Sequence, residues 1–120
     1  MDVTQELHRY RWEIEDALGL SRKITYHELP GLIESGRLIL YANDAAILIC
    51  EPLRIFGGWI LCMFVAAGDM KHVLALVDHA EKVAKEKGAL AITAVGRPGW
   101  MRIGKKLGYR TDAVTLVKEL

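Results

Sequence analysis

The longest apolar part of the sequence covers residues 37–67 and is interrupted at two points that favour tight turns. The first interruption is the pair Asn43-Asp44, and the second is the run RIFGG at residues 54–58. Asn, Asp and Gly supply the backbone conformations that short hairpin turns require. The pattern therefore predicts three consecutive antiparallel strands, at about residues 37–42, 45–52 and 58–67.

These strands are apolar at nearly every position instead of alternating between apolar and polar residues. Strands of a sheet with one solvent-exposed face alternate between apolar and polar residues. Because these strands do not, both faces of this sheet should be covered by helices. The other predicted elements are helices at 3–18, 26–36, 70–87 and 98–107 and strands at 89–95 and 109–119. The expected fold is a single α/β (α+β) domain over residues 1–120, with a mixed, mostly antiparallel sheet of about five strands and helices on both faces.

The helix at 70–87 has the clearest pattern in the chain. Its expected buried stripe is Val73, Leu76, Val77, Ala80, Val83 and Ala84. On its wet side, the spacing of four residues predicts the ion pairs Asp78–Lys82 and Glu81–Lys85. In the first helix, Trp12 falls opposite the apolar stripe, so it is either covered by another element or offered to a partner.

Composition excludes several classes of protein. The formal net charge is +1, so no global field directs the chain to nucleic acid. The apolar run from Trp59 to Ala67 is shorter than the roughly 20 residues that span a bilayer, and the charged N-terminal segment does not resemble a signal peptide. Cys50 and Cys62 are interpreted as reduced core thiols of a cytoplasmic protein, with a cross-strand disulfide as the less favoured alternative.

No metal site is expected, because the spacing of the four histidines is not that of metal ligands.

The segment LALVDHAEKVAKEKGALAITAV followed by MRIGKKLGYRT resembles the GNAT superfamily of acyl-CoA-dependent N-acyltransferases. The resemblance covers roughly residues 20–120 and includes the closing corner Lys106-Leu107-Gly108-Tyr109. The first strand of that family has no counterpart here. More narrowly, GRPGW, GYR and LVKEL resemble small GNAT-like proteins of tailed bacteriophages and prophages.

The resemblance implies a site for the pyrophosphate of CoA at residues 68–73, where the family has the loop Q/R-x-x-G-x-G/A. Here Gly68 replaces the leading residue, Lys71 and Val73 replace the two small ones, and Asp69 adds a negative charge. We therefore expect no cofactor. If acetyl-CoA binding survives, the residues implied are Val65, Ala66, Gly68, Lys71, His72 and Val73.

We also predict no catalytic residue. The family commonly has a tyrosine that acts as general acid at the position where this chain has Gly104. It also often has a glutamate that acts as general base on the strand that corresponds to WILCMFVAA, which here has no carboxylate. Glu51 is the nearest substitute for the base, and Tyr109 and Tyr41 are substitutes for the acid that spacing alone does not favour over packing.

The corner GRPGW is interpreted as a tight turn with Trp100 as a packing anchor, because Pro98 suits the first turn of a helix. Three roles remain open for Arg97: it stabilises the turn, binds an anion or contacts a neighbouring subunit. The following helix has a basic face that is either solvated or contacts an acidic protein or a phosphate backbone. The candidate interaction residues are Trp12, Arg97, Arg102, Lys105, Lys106 and Arg110.

Three hypotheses of function follow. The first is a non-catalytic domain for assembly or protein interaction, such as a virion or head-assembly component of a tailed phage, located in the host cytoplasm or the virion. The second is a divergent acetyl-CoA-dependent N-acyltransferase. The third is a regulatory, antitoxin-like domain that binds nucleic acid through the basic helix. The favoured partners are phage structural proteins or a second copy of the chain. Binding to nucleic acid or to a membrane is not expected.

Overall fold

The computed structural model of the chain describes residues 1–19, 24–96, 99–114 and 116–120. The helices are α1 (Val3–Arg9), α2 (Arg11–Leu18), α3 (Leu29–Glu34, preceded by a 3₁₀ turn at Tyr26–Glu28), α4 (Met70–Glu86) and α5 (Gly99–Lys106). The strands are β1 (Ile39–Ala42), β2 (Ala46–Ile55), β3 (Gly58–Gly68) and β4 (Ala91–Ala94).

The four strands form one mixed, mostly antiparallel sheet in the order β1-β2-β3-β4. Strands β1, β2 and β3 are joined by short turns and are therefore antiparallel. Strand β4 runs parallel to β3, because α4 carries the chain back along the sheet between them. The predicted fold class is confirmed, with four strands in place of about five.

The residues expected to form turns do so. Asn43 caps the first turn: its side-chain oxygen accepts a hydrogen bond from the Ala45 N–H, and its backbone N–H donates to the Ala46 carbonyl. In the second turn, Ile55 pairs with Gly58, leaving Phe56 and Gly57 as the two turn residues. Gly57 has a φ of 91°, a conformation that favours glycine.

Each face of the sheet packs against its own hydrophobic cluster. The first cluster lies under α1–α3 and includes Leu7, Ile14, Leu29, Ile49 and Val65. The second lies under α4 and includes Leu48, Cys50, Leu61, Val73 and Ala80. Helices therefore cover both faces, as the nearly continuous apolar strands predicted.

Two predicted elements differ from the structure. The helix predicted at 3–18 is two helices, because Tyr10 leaves helical geometry and its N–H bonds to the Leu7 carbonyl three residues back. The strand predicted at 109–119 is absent from the described residues 109–114 and 116–120, which contain neither helix nor strand. A strand forms only against a neighbour, and no part of the described sheet pairs with this segment.

The predicted ion pairs of α4 have different outcomes. Asp78 and Lys82 pair at 2.9 Å, as expected. Glu81 accepts a hydrogen bond from the Tyr109 hydroxyl at 2.6 Å instead of forming the predicted pair with Lys85. Within the expected stripe, Val83 is only half-buried, and the other five members are buried.

Candidate functional site

The pairing between β3 and β4 ends halfway along β3. The last paired residues are Met63 and Ala94, followed by one hydrogen bond from the Val95 N–H to the Met63 carbonyl at 2.9 Å. Strand β3 continues to Gly68. The edge of β3 over residues 64–68 is thus unpaired with β4. We refer to this unpaired edge together with the start of α4 as the cleft.

A β-bulge lies where this cleft begins. Ile49 pairs with Val65 and Cys50 with Met63, so Phe64 is the extra residue on β3. Phe64 and Val65, although consecutive, both pack into the cluster under α1–α3. A bulge bends its strand, and the bend occurs at the point where β3 leaves β4.

The far end of the cleft is the start of α4, which the turn between β1 and β2 holds from one side. The Asp69 N–H donates to the Ala45 carbonyl at 2.9 Å, and the Asn43 side chain donates to the His72 carbonyl at 3.1 Å. Gly68 has a φ of 109°, and a Cβ at this position would collide with the Ala45 carbonyl oxygen. Glycine is therefore required at position 68 by packing, independently of any ligand.

The N-terminus of α4 already holds an anion, the carboxylate of Asp69. This carboxylate accepts a hydrogen bond from the His72 backbone N–H at 3.3 Å and lies 2.8 Å from His72 Nδ1. The hydrogen bonds of the His72 side chain and backbone lower the pKa of Asp69, with a smaller contribution from the Lys71 backbone. Free N–H groups at a helix start bind phosphate, and here the Asp69 side chain, which caps the helix, already bonds one of them, the His72 N–H.

The three candidate acid–base side chains lie on two different faces of the sheet. Tyr41 packs against the cluster under α4, with its ring edge-on to His79 at 5.2 Å. Tyr109 packs against the same cluster and donates its hydroxyl to Glu81. Glu51 pairs directly with Cys62, which faces α1–α3, and paired residues share a face of the sheet. The Glu51 side chain therefore lies on the α1–α3 face, opposite to the two tyrosines.

The two tyrosines are held in their neutral form. Burial raises the pKa of Tyr41. Burial, together with the hydrogen bond to Glu81, raises the pKa of Tyr109 well above its ordinary value. A general acid works best with a pKa near the operating pH, and both hydroxyls are moved away from that range.

Several solved structures with the same architecture are acetyltransferases. An acetyltransferase of Trypanosoma brucei superposes with a TM-score of 0.69 at 12% identity, covering 99% of this chain and 93% of that one. A predicted acetyltransferase of Clostridium acetobutylicum, solved with acetyl-CoA, gives 0.69 at 13% identity and 98% and 90% coverage. A ribosomal-protein-alanine N-acetyltransferase of Brucella melitensis gives 0.69 at 12% identity and 97% and 92% coverage.

The chain has the GNAT fold. No protein-family model matches the sequence, and no curated protein matches it either. At 12–13% identity the likeness concerns the fold, so the activity must be argued from the site.

In this GNAT fold, the residues named for a surviving cofactor site do not form one surface. Val65 and Val73 are buried, in the clusters on opposite faces of the sheet. Val73 thus packs into the core under α4, so its side chain does not line the loop at residues 68–73. Lys71 is exposed, His72 and Ala66 are half-buried, and Gly68 is locked against Ala45.

The candidate interaction residues fall into two separate regions of the GNAT fold. Trp12 lies on α2, is 85% exposed and is therefore not covered by another described element. The basic residues Arg102, Lys105, Lys106 and Arg110 are exposed on and after α5, which packs through Trp100 against the cluster on the other face of the sheet. Arg97 and Pro98 lie outside the described residues.

Two exposed apolar features were missed from the sequence. Phe56 is fully exposed at the tip of the β2–β3 hairpin, next to the exposed Leu53 and Ile55. The segment after α5 carries four more exposed apolar side chains, those of Val114, Leu116, Val117 and Leu120. The first had a signal in the sequence, because Phe56 falls inside the predicted turn RIFGG.

Within the described parts of the chain, no helix is both long and apolar enough to cross a membrane. The same residues contain no group of three or more His, Cys, Asp or Glu side chains placed to hold a metal ion.

Proposed function

We propose that this chain is a GNAT-fold domain that does not transfer acyl groups and acts by binding other proteins, as an assembly component of a tailed phage. The phage setting, whether virion or host cytoplasm, rests on the resemblance of GRPGW, GYR and LVKEL to phage GNAT-like proteins. The non-catalytic role rests on the chemistry of the cleft.

The observation that carries the proposal is the carboxylate of Asp69 at the N-terminus of α4. A nucleotide diphosphate bound there must displace this carboxylate from the His72 N–H. It must also approach a fixed negative charge, because the pKa of Asp69 is lowered by its hydrogen bonds to His72. The negative charge of Asp69 therefore disfavours a second anion at this helix start.

The separation of the candidate acid and base supports the same proposal. Glu51 lies on the α1–α3 face, and Tyr41 and Tyr109 lie on the α4 face. In acyl transfer the base serves the attacking amine and the acid serves the departing thiolate, and both groups are bound to one carbon in the tetrahedral intermediate. A base and an acid on opposite faces of the sheet are poorly placed to serve them together.

One observation favours the second candidate, a divergent acetyl-CoA-dependent N-acyltransferase. The bulge at Phe64 and the end of pairing at Met63 leave the β3 edge open toward the cleft. An extended ligand with amide groups can hydrogen-bond to such an edge. In this candidate, the backbone of residues 65–68 binds the cofactor and Lys71 supplies a cation for its phosphates.

A thioester turnover assay tests the two candidates. The purified chain is incubated with acetyl-CoA and a panel of amines and peptide N-termini, and release of free CoA is followed. The proposal predicts the rate of the buffer blank. Turnover that Glu51→Gln lowers, while the exposed Glu13→Gln on α2 leaves it unchanged, would establish the acyltransferase instead.

The assembly role has its own test, mass spectrometry of purified particles of a phage that encodes the chain. The proposal predicts the chain in stoichiometric or near-stoichiometric amount in virions or head precursors. Its absence from both would remove the phage assembly role and leave the conclusion about the cleft unaffected.

A further inference from the structure

The segment that follows α5 exposes apolar side chains that no described part of the chain covers. Val114, Leu116, Val117 and Leu120 are 76%, 90%, 56% and 116% exposed. Described residues 110–114 and 116–120 form neither helix nor strand. Contiguous apolar residues of this kind mark interaction sites in soluble proteins. We call residues 110–120 the tail.

The sequence of the tail is complementary to itself in the antiparallel direction. When Val114 of one copy is placed opposite Leu116 of a second copy, Asp112 falls opposite Lys118 and Ala113 opposite Val117. Every contact then occurs twice, as a two-fold axis requires. Opposite charges and paired apolar side chains directly across two strands both stabilise a sheet.

We propose that the tail pairs with the tail of a second copy of this chain as two antiparallel strands in this register. In the pair, Val114 contacts Leu116 and Ala113 contacts Val117 across the two strands, which reduces the exposure of these apolar side chains. The pairing also explains why the tail has the pattern of a strand while none of the described residues of its own protomer pairs with it.

The neighbouring registers are less favourable. Shifting one tail by two residues in one direction places Arg110 opposite Lys118, two like charges, and Asp112 opposite Leu116. Shifting it in the other direction places Val114 opposite Lys118 and Asp112 opposite Leu120. Like charges directly across a pair of strands are destabilising, which disfavours the first shift. The second shift leaves Asp112 and Lys118 opposite apolar side chains, so only the proposed register pairs these two charges with each other.

The edge of the protomer's own sheet does not offer the same complementarity. Strand β4 presents Ala91, Ile92, Thr93 and Ala94, with no charged side chain to meet Asp112 or Lys118. The start of the tail is fixed by Tyr109, whose hydroxyl is bound to Glu81 on α4. A second copy therefore fits the tail better than the free edge of β4.

A charge-swap experiment on the full chain tests the pairing, with sedimentation equilibrium over a wide range of protein concentration as the readout. The wild-type chain is expected to dimerise reversibly. Asp112→Lys places Lys opposite Lys118 twice in the dimer and should weaken it about tenfold or more. Lys118→Asp should weaken it similarly, and the double variant, which restores opposite charges, should return to within about threefold of wild type.

The control is Glu86→Lys, which makes the same change of charge at an exposed site on α4 and should leave the dimer unchanged. A wild-type chain that stays monomeric, a control that weakens the dimer as much as Asp112→Lys, or a double variant that is not restored would each overturn the proposal. A tail that protects its amides from hydrogen exchange in a monomer would place it on its own β4 edge and overturn the proposal as well. The inference stands apart from the proposed function, because it uses no residue of the cleft.

Discussion

The hydroxyl of Tyr109 donates a 2.6 Å hydrogen bond to the carboxylate of Glu81, joining the end of α5 to the middle of α4. The residue thus closes the corner after Gly108 and anchors the start of the tail. Its half-buried ring packs into the cluster under α4. A side chain that the family resemblance made a candidate acid is, in this chain, a structural link between two helices.

Tyr109→Phe removes this link and should lower the free energy of unfolding by about 1.5–3 kcal/mol, the range for a hydrogen bond to a charged group. Urea denaturation followed by circular dichroism measures the change. In a Glu81→Gln background the same substitution should cost less, because a neutral amide is a weaker acceptor. An equal cost in both backgrounds would show that Glu81 is not the partner.

Alkaline pH should destabilise the fold through Cys50. Burial raises the pKa of this thiol from 9.0 to about 12. Its stabilising effect is fully present below the ordinary pKa and is lost as pH rises toward the folded value, since only the unfolded chain ionises readily in that window. The free energy of unfolding should fall above about pH 9, and less steeply in Cys50→Ala. Identical slopes in both proteins would assign the loss to other groups.

Acid pH should destabilise the fold through Asp69, so that here stability is lost as pH falls. Its pKa is lowered by the hydrogen bonds from His72, so its stabilising effect is present above the ordinary value of 3.8 and is lost as pH falls through the folded pKa. Asp69→Asn should lower the urea midpoint at neutral pH and flatten the acid limb of the stability curve. Glu13→Gln, which makes the same carboxylate-to-amide change at an exposed site on α2, is the control and should leave the neutral midpoint unchanged.

Two neighbouring positions on α2 should respond very differently to alanine. Ile14 is fully buried, and Ile14→Ala should cost about 2–5 kcal/mol by removing core contacts. Trp12 is 85% exposed, and Trp12→Ala should change stability by no more than about 0.5 kcal/mol. Thermal denaturation of the two variants compares them directly. A large loss for Trp12→Ala would mean that this side chain is covered and is not available to a partner.

The strands with strong turn signals could be predicted from the sequence. The turns at Asn43 and at Phe56-Gly57 set the hairpins, and the continuous apolar pattern of β2 and β3 required covered faces. The tail shows where this reasoning ends. Its pattern shows that it can pair as a strand, but pairing also needs a neighbour, and sequence periodicity does not state whether the neighbour lies in the same chain.

The candidate site was predicted less completely. The loss of the glycine pattern at residues 68–73 and the negative charge of Asp69 were visible in the sequence, and the structure shows that Asp69 caps α4. The sequence could not predict on which face of the sheet Glu51 lies, because a register slip of one residue moves every side chain of a strand to the other face. The bulge at Phe64 is such a slip, and only the structure places it.

The most direct test of the account is a calorimetric titration of acetyl-CoA into the wild-type chain, with Lys71→Glu as a matched variant at the start of α4. Because the Asp69 carboxylate caps the start of α4 at the His72 N–H and places a negative charge there, we predict no heat of binding to either protein. Binding in the low micromolar range by the wild-type chain, lost in Lys71→Glu with the circular dichroism spectrum unchanged, would contradict it.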